Sequence, residues 1–311
     1  MRPKLRWIYL YFPLFLILSA LLIGLWAWRT VDGLYRVDTE DALAAPVGLV
    51  RTYLIVGSDS RDGIDADTPN VGAIGTDVTG RRSDTIIVLR TDGATAQMMS
   101  IPRDLWVKNP ATNEFGRVNA TYNQGPANLI RAVTNNLGIP INHYVEVDFV
   151  SFSGMVDAMG GITIDFPYPV TDRNSGLRIN TAGPNRLDGA TALAYVRSRH
   201  YTETINGKQV EDPLSDLGRN ARQQIFIKTV LSAVGQTRNP WTAAKLVSAA
   251  SDGVRVDKQI GVGDIWTLAQ DMAGVTPETV KLPVIGTRKG DAAVLELDTP
   301  KAEPILEGFR R

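Results

Sequence analysis

The sequence contains no cysteine and only two histidines, His143 and His200. The absence of cysteine excludes disulfide bonds, cysteine-ligated zinc and thiol nucleophiles. Two histidines give little support to a multi-histidine metal site or a Ser-His-Asp triad. Net charge is also missing, because 33 basic residues balance 33 acidic ones, and no overall field favours a nucleic-acid partner. A site for a charged ligand must therefore arise from local clustering of side chains.

Residues 7–28 carry no charge and are almost wholly apolar. At about 1.5 Å per residue, a helix of this length spans a hydrocarbon core about 30 Å thick. Basic residues within 1–6 predict a cytoplasmic N-terminus, with the rest of the chain extracytoplasmic. A cleaved signal peptide is the alternative, but the apolar run is long for one and no clear small-x-small cleavage site follows it. We predict a single-pass membrane anchor at 7–28, a tether at 29–49 and a folded domain from residue 50.

Three short apolar runs without a helical period follow, at 53–56, 86–89 and 97–101. Their composition predicts strands, and polar segments rich in arginine and aspartate border them. Such charges commonly mark only the point where a strand meets water. Alternatively, several strand ends meet at one rim and hold a charged ligand. The bordering residues in question are Asp59, Arg61, Arg82, Asp84, Arg103 and Asp104.

Arginine and aspartate together suit a phosphate bound with a divalent cation. The guanidinium fork matches phosphate oxygens, and paired carboxylates suit a hard cation such as Mg²⁺. The strand-end residues therefore predict a site for Mg²⁺ and a pyrophosphate.

Downstream, Asp188 is placed as the N-cap of a short helix that runs through Tyr195. If the segment after it is extended, Arg197 and Arg199 point to the same face. Two like charges side by side repel each other unless an anion lies between them, so a phosphate is a sensible partner. The segment 200–214 is predicted as a loop.

A second helix is predicted to begin near residue 215. Arg219, Arg222 and Gln223 stand at i, i+3 and i+4 in it and share one face. Arginines near a helix N-terminus oppose the helix dipole, and a bound anion would offset that cost. A solvated face is the other interpretation.

These segments resemble the LytR-CpsA-Psr family of bacterial cell-wall glycopolymer ligases, over about residues 50–285. The motifs that carry the resemblance are Gly-Ser-Asp-Ser-Arg at 57–61, Arg-Ser-Asp-Thr at 82–85, Ser-Ile-Pro-Arg-Asp at 100–104, Leu-Ala-Tyr-Val-Arg-Ser-Arg at 193–199 and Asp-x-x-Arg-x-x-Arg-Gln-Gln at 216–224. They are specific in combination and weak singly.

The resemblance implies a membrane-anchored phosphotransferase. Such an enzyme moves a glycopolymer, such as teichoic acid, capsule or arabinogalactan, from a polyprenyl-pyrophosphate lipid carrier to a peptidoglycan hydroxyl. The expected partners are the lipid-linked glycan, peptidoglycan and membrane lipid, with no nucleic acid. The expected fold is a single three-layer α/β domain at 50–285, with a central mixed β-sheet flanked by helices. A C-terminal strand and tail would occupy 286–311.

Together, the residues and the resemblance assign three roles. Asp59 and Asp84 would hold Mg²⁺, with Mn²⁺ as the alternative cation. The catalytic residues would be Arg82, Asp84, Arg103 and Asp104. The pyrophosphate-binding residues would be Arg61, Arg82, Arg103, Arg197, Arg199, Arg219, Arg222 and Gln223. Asp59, Asp84 and Asp104 all remain candidates for the group that orients or deprotonates the acceptor hydroxyl.

Other interpretations stay open. The same site would serve a polyprenyl-pyrophosphate hydrolase, and a non-catalytic membrane-anchored regulator or polymer-binding protein is a third function. The helix predicted at 149–159 has an apolar face, which we assign residue by residue to the core. By resemblance, this face would instead wall a pocket for a polyprenyl tail. His143 is assigned a structural role.

Overall fold

The computed structural model describes residues 29, 32–58, 83–213, 216–236 and 253–311. The strands among them are β1 (Tyr35–Val37), β2 (Arg51–Ser58), β3 (Ser83–Thr91), β4 (Ala96–Ile101), β5 (Trp106–Lys108), β6 (Phe115–Arg117), β7 (His143–Asp148), β8 (Ile162–Phe166), β9 (Val170–Asp172), β10 (Leu177–Ile179), β11 (Gly183–Leu187), β12 (Thr202–Ile205), β13 (Lys208–Glu211), β14 (Val254–Asp257), β15 (Glu278–Lys281), β16 (Val284–Lys289) and β17 (Ala292–Leu297). The helices are α1 (Pro126–Leu137), α2 (Phe149–Ala158), α3 (Gly189–Arg197), α4 (Asp216–Gln236), α5 (Val262–Asp271) and α6 (Thr299–Arg310), with a 3-10 helix at Val118–Gln124.

Seven strands form a central sheet in the order β1-β14-β7-β2-β3-β4-β15. β2 is parallel to β7 and antiparallel to β3, and β3 is antiparallel to β4. The sheet is therefore mixed, which confirms the predicted α/β class with a central mixed sheet.

Helices cover both faces of this sheet. β2 sends alternate side chains to opposite faces, as the pleat requires. Leu54 and Val56 join the cluster that α1 and α6 bury on one face. Tyr53 belongs to a cluster on the other face, where residues of α4 and α5 pack. Burial on both faces explains why the strand reads as a continuous apolar run.

The segment predicted as a loop at 200–214 contains a β-hairpin, so that prediction was wrong. β12 and β13 pair antiparallel around Asn206-Gly207. These two residues have φ angles of 50° and 77°. Asn-Gly is the preferred pair for such a two-residue turn, and the sequence reading overlooked it.

Both ends of the described chain pack on the sheet. β1, within the predicted tether, pairs parallel with β14. At the other end, α6 buries Leu306 and Phe309 in the core. The predicted anchor at 7–28 lies outside the described residues. Within the described ranges, no helix is both long enough and apolar enough to cross a membrane.

Candidate functional site

The strand ends that carry the charged motifs meet at one edge of the sheet. Ser58, the last residue of β2, pairs with Ser83 at the start of β3 and with Asp148 at the end of β7. β4 ends beside the start of β3, which brings Arg103 and Asp104 to this same edge. The topology thus has the strand-end rim that the sequence pattern predicted.

Asp84 is the extra residue of a β-bulge at this edge. Gly57 pairs with Thr85 and Ser58 pairs with Ser83, so the register skips Asp84. Bulges re-aim side chains and are common beside active sites. A Cβ at Gly57 would lie 3.0 Å from the Cβ of Thr85, so this crossing favours glycine. Three predicted site residues, Asp59, Arg61 and Arg82, lie outside the described residues.

A cleft of about 630 Å³ runs along the face of the sheet on the side of α4 and α5. Tyr53, Ile55 and Gly57 of β2 line it, as do Val145 and Val147 of β7. These residues follow the strands toward the rim, so the cleft leads from the sheet interior to the charged edge. We call it the apolar cleft.

Helix α2 forms much of the opposite wall of the apolar cleft. Phe152, Met155, Val156 and Met159 line the cleft and also belong to or pack against the core clusters, so the core assignment holds and the cavity is an addition to it. The predicted helical face is real, but it borders a cavity rather than only a packed interior. The side chain of Phe149 lies outside the described part of the structure.

The polar lining of the apolar cleft comes from segments that sequence analysis had singled out. Arg197, Arg199, Arg219 and Gln223 all line it. Arg197 is the last residue of α3, so the helix runs two residues beyond the predicted end at Tyr195 and the condition of an extended backbone is not met at Arg197. Ser198 leaves the helix with φ −60° and ψ 123°, and the chain then carries Arg199 to the same cavity.

Asp172, which the sequence analysis missed, fixes the segment that carries these arginines. Its Oδ2 accepts hydrogen bonds from the Ser198 hydroxyl at 2.6 Å and from the backbone N–H groups of Arg199 and His200, both at 3.0 Å. Its Oδ1 accepts the N–H of Asn174 at 2.8 Å. Burial alone would raise the pKa of Asp172, but these hydrogen bonds outweigh it and lower the pKa. The side chain therefore serves as a buried anion that positions Arg199.

Arg222 contacts protein groups from three directions. It donates to Asp212 Oδ2 at 2.8 Å and to the Ser198 carbonyl at 2.8 Å, and its guanidinium lies 4.4 Å from the centre of the Tyr201 ring. Gly218 makes room for this arrangement, since a Cβ there would lie 1.9 Å from Asp212 Oδ2. Arg222 is thus a positioning residue for the Ser198 turn, and direct contact of Arg222 with phosphate stays a prediction.

The helix face shared by Arg219, Arg222 and Gln223 is buried, so the alternative interpretation of a solvated face does not apply. Gln223 donates to the carbonyl of Val196 at 3.3 Å and also lines the apolar cleft. The start of α4 therefore holds the end of α3 through hydrogen bonds to two of its last carbonyls, at Val196 and Ser198.

Arg103 and Asp104 line a second cleft of about 460 Å³. Asp104 lies 3.6 Å from Arg103 Nε and 3.1 Å from Arg117 Nε. The backbone N–H of Asn119 donates to the carbonyl of Arg103 at 3.2 Å, which gives Asn119 a structural contact at the rim. Arg219 lines both clefts, so the rim residues of β4 and those of α4 meet there.

Metal binding at the rim stays a prediction. No group of three or more metal-binding side chains occurs within the described ranges. Asp84 stands in the bulge, and carboxylate oxygens are the donors that Mg²⁺ prefers. Asp148 is committed elsewhere, because its side chain caps α2 by accepting the N–H of Ser151 at 2.9 Å. Of the two predicted cation ligands, the structure thus gives only the backbone position of Asp84, in the bulge, while Asp59 lies outside the described residues.

His143 lies apart from the lining of both clefts. It is buried, stacks on Tyr53 with ring centroids 5.3 Å apart, and has its Nδ1 3.4 Å from Asp257. These contacts agree with the structural role assigned to it.

Comparison with known protein families matches residues 50–309 to the LytR-CpsA-Psr family. The chain belongs to this family. A curated relative, the probable cell wall biosynthesis protein LcpB of Corynebacterium glutamicum, is 34% identical over 302 residues, 93% of this chain and 67% of the relative. Another curated relative is the polyisoprenyl-teichoic acid–peptidoglycan teichoic acid transferase TagU of Halalkalibacterium halodurans. It is 29% identical over 238 residues, and the match covers 76% of this chain and 69% of that relative.

Solved structures of LytR-CpsA-Psr proteins share the fold. The LytR-Csp2A-Psr enzyme from Actinomyces oris superposes with a TM-score of 0.69 at 27% identity, and the match covers 89% of this chain and 95% of that one. The mixed α/β architecture described above is thus the architecture of the family.

Proposed function

We propose that this chain is a membrane-anchored phosphotransferase that moves a glycopolymer from a polyprenyl-pyrophosphate carrier to a peptidoglycan hydroxyl. The relatives support this, since one is named as a transferase of polyisoprenyl-linked teichoic acid to peptidoglycan and another as a cell wall biosynthesis protein. The proposal includes an anchor at 7–28, with residues 1–6 in the cytoplasm and the catalytic domain outside the membrane.

The observation that carries the proposal is the apolar cleft with arginines in its lining. Phe152 and Met155 offer apolar surface, while Arg197 and Arg199 offer guanidinium groups in the same cavity. A polyprenyl pyrophosphate has these two chemistries joined in one molecule. Burial of a prenyl chain gains about 25 cal/mol per Å² of apolar surface, and arginine forks bind phosphate oxygens bidentately.

The transfer itself is a displacement at phosphorus. The acceptor oxygen forms a bond to the phosphorus that bears the glycan, and the bond from that phosphorus to the bridging oxygen breaks. Polyprenyl phosphate leaves with the electron pair, and the hydroxyl proton passes to a base. Arginines stabilise the negative charge that gathers on the leaving phosphate. Asp59, Asp84 and Asp104 are the candidates that would orient the hydroxyl or take its proton.

Mg²⁺ is part of the proposal, with Mn²⁺ as the alternative. Asp59 and Asp84 would hold the cation, which would offset charge on the pyrophosphate oxygens. Arg82 and Arg61 are proposed as further phosphate ligands beside Arg103.

The test uses the full chain in detergent with Mg²⁺, a lipid-linked glycan donor and peptidoglycan. Covalent label on the acceptor is followed for the wild type, Arg199→Ala and the control Arg178→Ala, which changes an exposed arginine of β10 outside both clefts. We expect transfer by the wild type and the control and at least about a tenfold loss in Arg199→Ala. Release of polyprenyl phosphate without labelled acceptor would identify a hydrolase instead. Folded protein that gives neither product would favour the regulatory or polymer-binding role.

A further inference from the structure

The second cleft lies beside the first and has a different chemistry. Residues that follow β4 form one side of it, and the β16–β17 hairpin forms the other. Among the described residues, Arg219 is the one residue that lines both clefts. Arg219 is 3% exposed and thus stands as a partition between the two. We call the second cavity the hairpin cleft.

The hairpin cleft is cationic, with apolar surface from Val294 and Leu295 beside its charged side chains. Its described lining carries three arginines, Arg103, Arg219 and Arg288, against one carboxylate, Asp104. That carboxylate is already ion-paired with Arg103 and with Arg117. Thr287 adds a hydroxyl, so the lining suits a hydroxylated ligand that bears negative charge.

We propose that the hairpin cleft binds the acceptor, a peptidoglycan glycan strand whose stem-peptide carboxylate faces Arg288. This inference rests on the proposed function and adds to it the place from which the acceptor approaches. An anionic carbohydrate is the chemistry that the lining recognises, and the donor glycan and the acceptor glycan are its two sources.

The geometry of phosphoryl transfer favours the acceptor over the donor glycan. Attacking and leaving oxygens lie roughly in line on opposite sides of the phosphorus. If the leaving polyprenyl phosphate occupies the apolar cleft, the attacking hydroxyl must come from the far side of the phosphorus. Arg219 lines both clefts, so a phosphorus held there adjoins the hairpin cleft as well as the apolar cleft. Asp104 lines this cleft, and we assign it to orient the incoming hydroxyl alongside its ion pairs with Arg103 and Arg117.

Gly286 offers a way to block the hairpin cleft without disturbing the fold. It lines the cleft, and a Cβ placed on it meets no atom within 4 Å. Gly286→Trp would therefore fill the cavity, while Gly286→Ala is a graded variant that adds one methyl group to the same lining. A second pair is Arg288→Ala against Lys289→Ala, because Lys289 is the next residue on the strand, outside the cleft lining, and pairs with Glu296 at 2.6 Å.

Two measurements are made on the full chain in detergent. Initial rates of transfer are recorded against both donor and acceptor concentration. Separately, a soluble peptidoglycan fragment that retains its stem peptides is titrated onto the protein without donor. We expect Gly286→Trp and Arg288→Ala to raise the acceptor KM and the fragment Kd about tenfold, with the donor KM within about twofold of wild type. Lys289→Ala, outside the cleft lining, should match the wild type, and Gly286→Ala should shift both quantities less than Gly286→Trp does.

The outcomes separate this inference from the proposed function. One outcome is that the wild type transfers label while Gly286→Trp and Arg288→Ala leave the acceptor KM and the fragment Kd unchanged. The acceptor site is then elsewhere, and this inference fails while the proposed transferase function stands. A rise in donor KM instead would assign the cleft to the donor glycan and also overturn this inference. If the wild type transfers nothing yet binds the fragment, and Gly286→Trp weakens that binding, the inference stands while the transferase fails. No transfer and no fragment binding would overturn both.

Discussion

Replacement of Asp172 by asparagine tests whether one buried carboxylate holds the arginine segment in place. The side chain is 2% exposed, and its two oxygens accept separate sets of donors. Oδ2 takes the Ser198 hydroxyl and two backbone N–H groups, while Oδ1 takes the N–H groups of Asn174 and Ser175. Asparagine has one oxygen and presents an NH₂ at the other position. In either orientation of the asparagine amide, its NH₂ group therefore faces one of the two sets of hydrogen-bond donors, which lose their acceptor.

The magnitude follows from that count. A hydrogen bond to a charged group contributes about 1.5–3 kcal/mol, and a buried donor left without an acceptor costs about 1–3 kcal/mol. At least two donors lose their acceptor, so we expect a loss of about 2–4 kcal/mol in the free energy of unfolding. For a domain of this size that corresponds to a fall in Tm of roughly 10 °C.

Binding should fall as well, because Ser198 and Arg199 are the groups released. We expect Asp172→Asn to weaken inorganic pyrophosphate binding at least about tenfold at a temperature where the variant remains folded. Thermal unfolding followed by circular dichroism gives the stability, and isothermal titration gives the affinity. Asp165→Asn, an exposed aspartate on β8, is the control. An Asp172→Asn protein with unchanged Tm and unchanged pyrophosphate affinity would refute the positioning role.

Two further predictions concern acid and the apolar cleft. For Asp172 and Asp257, burial would raise the pKa, but hydrogen bonds outweigh it and lower the pKa below the ordinary 3.8. Their contribution to the free energy of unfolding is therefore complete above about pH 4 and is lost as pH falls through the lowered pKa of the folded state. The urea unfolding midpoints of the wild type and Asp172→Asn should therefore converge below about pH 4. Met155→Glu should place a charge in the apolar cleft and raise the Kd for polyprenyl phosphate at least about tenfold, with inorganic pyrophosphate binding unchanged. Equal loss for both ligands would show that the variant disturbs the phosphate end instead.

The central sheet could be read from the sequence because its signal is local. The apolar runs of strand length depend only on neighbours in the chain. The same is true of the helix ends, such as the left-handed Gly138 (φ 73°) after α1 and the aspartate that caps α3. The Asn206-Gly207 hairpin carried an equally local signal that was overlooked.

Contacts between distant residues explain most of what sequence reasoning missed. Asp172 precedes Asn174 and Ser175, which reads as an Asx turn at the end of a strand, and the structure contains that turn. The same carboxylate also binds residues 26 to 28 positions further along the chain. No periodicity or motif in the sequence records that second set of contacts, so only the fold reveals the functional use of the side chain.

The arginines of α4 show why shared spacing does not imply a shared role. Arg219 and Arg222 stand on one helical face and both are buried, so the prediction of a buried face holds. Arg219 borders two cavities. The guanidinium of Arg222 instead donates hydrogen bonds to Asp212 and to the Ser198 carbonyl and lies over the Tyr201 ring. An arginine fork satisfied by protein acceptors has fewer donors left for phosphate. Arginines on one helical face therefore divide between one that lines both clefts and one that holds the backbone of the Ser198 turn, and a helical period of 3.6 residues cannot tell the two apart.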